Sequence, residues 1–254
     1  MSHRISWKPQ YCGPIFFVAL IAGVVGLSFA DAPAAPKLST IVPAADLDVA
    51  VKNYLTKIAP FMADEASYGK NKDQLLQKAN AVVALAQTLG NHDEETKVKG
   101  PAAAVMAAAR DLARSKDYAG AKAAYEALNA ALAKTEAGPT PKWEKFASLG
   151  KLMHETAEVN SRLRRNVRRF ARTKDDSAEG AAILLAFAQA TIYDTHEVKN
   201  PADMPKWYAM AVEMRDAAAE LSKTTHAGDE AGFKKALDRI GKSCDDCHEV
   251  FHNE

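Results

Sequence analysis

Cys244, Cys247 and His248 are the residues whose types and spacing could do chemistry in this chain. They stand in "KSCDDCHEVFHNE", residues 242–254. Two thiols separated by two residues, with an imidazole next to the second, serve three chemistries. One is covalent c-type haem attachment, in which both sulfurs form thioethers and the histidine ligates iron. Another is a zinc site, with His252 as a fourth ligand. The last is a dithiol redox centre, which ordinarily accompanies a βαβ pattern that this sequence lacks.

The residues leading to the motif decide how it is presented. Phe233, Leu237, Ile240, Cys244, Cys247 and Phe251 recur at alternating steps of four and three. That is a core-facing helical seam, so both cysteines are expected to face a helix-bundle interior, with His248 at the edge of the same face. A haem needs a wide apolar slot, and a bundle interior can supply one. Opposite the motif, in a bundle of alternating direction, lies the start of a helix carrying Met153 and His154. Met153 falls on the apolar stripe and is the candidate distal iron ligand. His154 shares a face with Ser161 and Arg165 and is expected to meet water. A methionine at helical spacing can also simply fill the core.

The start of the chain points to export. Arg4 and Lys8 precede an apolar run from Pro14 to Ala30, which closes on the small residues Ser28 and Ala30. This is the pattern of a signal peptide over residues 1–30; the alternative is an uncleaved anchor. Cleavage would leave 31 basic and 32 acidic residues, and only the two motif cysteines, since Cys12 lies in the leader. A bare Cys-x-x-Cys exported to an oxidising compartment would close into a disulfide unless captured. Charges so nearly balanced give no electrostatic case for binding nucleic acid. We find no paired acid/base constellation, phosphate loop or nucleophile elbow, so the chain is not expected to be an enzyme.

The remaining residues are alanine-rich and poor in glycine and proline, which favours helices. Residues 31–45 read as an exposed Pro/Ala linker, and "EAGPTPK", residues 136–142, as a break between two similar stretches. "DYAGAKAA" at Asp117 recurs as "DEAGFKKA" at Asp229; "VKGPA" at Val98 recurs as "VKNPA" at Val198; "ALAQ" at Ala84 recurs as "AFAQ" at Ala186. These order-preserving matches, at offsets of 112, 100 and 102, read as an internal duplication. A tetratricopeptide reading would demand a 34-residue period, which is absent. The expected fold is all-α, two tandem up-down-up-down four-helix bundles over 46–137 and 142–254. In the second, helices are expected near 142–172, 176–193, 204–224 and 229–250, starting at Thr140–Pro141. At the aligned offsets Leu132 and Thr135 replace the cysteines, Glu136 the histidine and Val51 the methionine. One haem is therefore expected, in the second bundle.

Residues 142–254 resemble the class II cytochromes c, the four-helix family that includes cytochrome c prime, on the strength of the terminal "CDDCHEVF". The resemblance implies a periplasmic protein with one covalent haem c. It is either a low-spin electron carrier with methionine opposite histidine, serving a periplasmic redox partner, or a five-coordinate binder of NO or CO. Members of the family often form homodimers through helix pairs, a contact that the extra first half could replace. Two departures are His252, where many relatives carry a basic residue, and the haem-free first half. A helical interaction module with a terminal metal site stays as a third reading.

Other features have plainer readings. Arg162, Arg164, Arg165, Arg168, Arg169 and Arg172 form a solvated face or a docking patch for an acidic partner. Trp207, Met210 and Met214 are expected in the core, and His92, His196 and His226 in exposed loops.

Overall fold

The computed structural model describes residues 31–134 and 136–252. The signal-peptide reading of residues 1–30 and the Thr135 position lie outside them. Eight α-helices and no strand occur among the described residues: α1 (Ala44–Ile58), α2 (Glu65–Gly90), α3 (Ala102–Ala113), α4 (Tyr118–Leu132), α5 (Leu149–Asn166), α6 (Lys174–Ile192), α7 (Met204–Ala227) and α8 (Glu230–Phe251). None of them is long and apolar enough to cross a membrane.

Local chemistry fixes several boundaries. Asp64, Asp117 and Asp229 cap α2, α4 and α8, their carboxylates accepting from the backbone N–H groups of Ser67, Gly120 and Gly232. The last two caps lie within the repeated "DYAG" and "DEAG" segments. α7 ends at Gly228, whose φ of 70° lets the Gly228 and Asp229 N–H groups reach back to Thr225 and Thr224 carbonyls. This paired closure turns the chain sharply, so that α8 packs back along α7.

Within α1–α4 and within α5–α8 each helix packs on the next. The halves join through α2 against α6, α1 against α6 and α2 against α5. As a result the second half of α2 and most of α6 are buried on every side, and one apolar cluster runs from Val42 to Ile240. A buried polar bridge crosses the same junction. Glu155 of α5 accepts from Tyr54 Oη of α1 at 2.9 Å and from Lys78 Nζ of α2 at 3.0 Å.

The structure corrects four expectations. The helix expected from residue 142 begins at Leu149. Residues 142–148 instead lie against α2, where Gln87 Nε2 donates to the Lys142 and Glu144 carbonyls and Asn80 Oδ1 accepts from Ser148 N. Pro141 sits so close to Gly90 that a Cβ there would meet its ring at 2.5 Å. Residues 31–45 are more than an exposed linker, because Leu38 and Val42 enter the core. His92 is buried, with Nε2 on the Val42 carbonyl at 3.0 Å and Nδ1 accepting from Glu94 N. His226 belongs to the last turn of α7 rather than a loop; it is exposed and meets Asp46 of α1 at 2.7 Å.

Candidate functional site

The seam predicted for α8 is buried through Phe233, Leu237 and Ile240. It opens over the last three turns, where Cys244, Cys247 and Phe251 are half-buried and His248 is exposed. The opening follows from how α5 and α8 meet. Where α5 ends they are in contact: Arg164 reaches Asp238 and lies over Gly241, and just beyond α5 the Phe170 ring packs tilted against Phe233 with centroids 4.9 Å apart. Where α5 begins, the two helices part around a cavity of about 300 Å³.

The cavity brings together most of the residues singled out from sequence. α8 contributes Cys247, His248 and Phe251, and α5 contributes Leu149, Met153, His154 and Ala157. Met153 is half-buried on the α5 wall. Cys244 lies one turn back and packs against the core cluster. His154, expected to meet only water, is exposed yet lines the cavity beside Met153. His252 lines it too, 5.5 Å from the His248 ring. Trp207 is buried, donates its Nε1–H to the Thr191 carbonyl at 3.1 Å and takes the Phe251 ring edge-on at 5.1 Å. With its N–H satisfied, it offers the cavity only apolar surface. The Trp207 stripe was legible from sequence; its Thr191 partner carried no signal. Met214 is buried and Met210 partly so.

The thiols are not joined to each other. Burial pushes both up: Cys244 above its ordinary range, and Cys247 to about 11, with the neighbouring Cys244 adding to the effect. A redox-active dithiol needs a stabilised thiolate, and these surroundings favour the neutral thiol. Among the described residues no three His, Cys, Asp or Glu side chains converge on a metal-sized point. In the polypeptide without cofactor, Cys247 is expected to alkylate with iodoacetamide at pH 8 roughly tenfold or more slowly than an ordinary cysteine. Alkylation at the ordinary rate would show that the last turns of α8 are open.

The arginine face is partly occupied. Arg162 is tied to Asp176 and the buried Glu179, and Arg164 to Asp238. Arg168, Arg169 and Arg172 are exposed and, among the described residues, pair with no carboxylate. Arg164, Arg165, Arg168 and Arg169 line a second cavity of about 850 Å³, and Ala157 borders this cavity and the first.

The cavity is walled largely by aliphatic and aromatic groups, with the Cys247 thiol and the His248 imidazole on one helix and the Met153 thioether on the facing one, groups of the kind that hold a haem. Residues 202–252 match the family model described as Cytochrome C'. The cytochrome c′-like segment covers α7 and α8, including the whole motif, and is well under half of the chain. The family implies a haem cofactor. No curated protein and no solved structure matches the chain.

Proposed function

We propose that the protein is an exported c-type cytochrome carrying one haem in its second half, and that it transfers single electrons. The observation that carries the reading is the joint position of Cys247, His248 and Met153 on one apolar cavity, in a chain whose terminal helices match a cytochrome c′ model. Bound haem would supply an iron able to take up and release one electron, at a potential that a methionine ligand beside the histidine would raise. The chain does the rest. Cys244 and Cys247 would hold the group through thioether links, with His248 on α8 and Met153 on α5 as the residues that would ligate its iron. Trp207 and Phe251 exclude water, which lowers the local dielectric around the iron.

Two tandem bundles, related by duplication, are the architecture that goes with this reading. The equivalent caps at Asp117 and Asp229 support it. The leader pattern supports a periplasmic location, where the unpaired arginines would speed encounter with an acidic redox partner. A second reading, an open iron that binds NO or CO, has the support of the cytochrome c′ description.

Absorption spectra of protein matured in a host able to attach haem c test both. Electron transfer predicts a low-spin spectrum, insensitive to CO in the ferrous state. Met153→Ala is expected to convert it to a high-spin species that binds CO. A wild-type protein already high-spin and CO-responsive would replace the first reading by the second.

A further inference from the structure

The cavity beside α8 has a counterpart in the first half. It holds about 520 Å³ and opens between α1, the loop at Lys97 and the end of α4. Asp48, Val51, Lys52 and Leu55 line it from α1. Each lies 102 residues before a residue lining the haem-side cavity, namely Gly150, Met153, His154 and Ala157. Lys97 lines one and Glu197 the other, 100 residues apart, the offset that relates "VKGPA" to "VKNPA". Five matched positions, at two offsets legible in the sequence, identify the same slot in both halves.

Its chemistry differs. Val51 replaces Met153, Leu132 replaces Cys244, and no thiol, thioether or imidazole lines the cavity. The walls are Val51, Leu55, Val98 and Leu132. At the mouth two lysines replace an imidazole and a carboxylate: Lys52 stands for His154 and Lys97 for Glu197. Among the described residues neither lysine makes an ion pair. Asp48 is the only acid there. Burial raises its carboxyl, and Thr96, the Lys97 and Val98 backbone and the Lys97 charge oppose the shift. Val49, on the same edge, is 47% exposed and is the one large apolar side chain so exposed among the described residues. An apolar trough with two ammonium groups against one partly neutralised carboxyl at its mouth is complementary to an apolar chain ending in an anion.

We propose that this slot binds, without covalent attachment, a long-chain carboxylate, its tail along Val51, Leu55 and Leu132 and its head between Lys52 and Lys97. The assignment rests on the duplicated architecture proposed above and not on the haem. Sodium laurate titrated calorimetrically into the full-length, haem-loaded protein is expected to bind once per chain, more weakly as salt rises. The rim variant Lys52→Glu/Lys97→Glu should weaken it roughly tenfold or more, and Leu55→Trp, which fills the trough, should abolish it. The haem absorption should not move in either variant, which shows that the second half is intact. Absent binding, or binding unchanged in both variants, overturns the proposal. So does laurate that shifts the haem spectrum, haemin that displaces laurate, or a concentration-dependent dimer that covers Leu55. If the chain takes up no haem at all, the same titration on the unloaded protein still decides the question.

Discussion

Replacing Cys244 and Cys247 together by alanine is expected to abolish covalent pigment completely while leaving the fold in place. Wild-type protein from a maturing host should exceed its polypeptide mass by one haem and stay coloured after denaturation. The double variant should show polypeptide mass alone. Each single variant should keep one thioether, in reduced yield, because one sulfur remains on the same face of α8. The fold should survive because the seam is buried through Ile240 without the cysteines, and neither thiol is fully enclosed. Each substitution should therefore cost roughly 1 kcal/mol, with the helical circular dichroism unchanged. Pigment that survives denaturation in the double variant would falsify the assignment of the motif.

The cysteines and the helix that carries them were legible because everything that positions them is local. The cap at Asp229, the left-handed Gly228 and the four-three spacing up to Cys247 lie within one helix and its turn. Met153 could be placed because alternating helices bring the start of α5 beside the end of α8. The start of α5 itself was not legible. Its preceding residues have their carbonyls taken by Gln87 of α2, 55 and 57 positions earlier, and nothing nearby in sequence marks that. His92 does lie in the loop after α2, but it looked exposed because its partner, the Val42 carbonyl, is 50 residues away. The shared core was hidden for a related reason. The second half of α2 and most of α6 are buried all round, so they lack the one-sided stripe that announces a neighbour. His154 stands one residue past the stripe, where a helical pattern cannot tell a cavity wall from solvent.

The junction between the halves yields the second large effect. Glu155→Ala is expected to destabilise the protein by about 3–5 kcal/mol, the range for breaking one partner of a buried ion pair. Glu155 is 2% exposed, and it is the acceptor for both Tyr54 Oη and Lys78 Nζ. Without it the Tyr54 hydroxyl loses its acceptor, and the buried Lys78 ammonium keeps only Glu158, an exposed group 3.6 Å away. Replacing both charges, as Lys78→Met/Glu155→Leu, should recover most of the loss, since well-packed apolar groups of similar volume often match such a pair. Urea unfolding of the two single variants and the double variant measures the coupling. A cost below about 1 kcal/mol for Glu155→Ala would mean that water reaches the bridge. The same bridge sets an alkaline limit. Burial first, and then the Glu155 charge, push the Tyr54 phenol well above its ordinary value. Above about pH 10 the unfolded chain releases that proton and the folded chain does not, so this group lowers stability as pH rises through the unfolded value. Tyr54→Phe should remove that part of the alkaline loss, and at neutral pH it should leave Lys78 as the sole buried donor to Glu155.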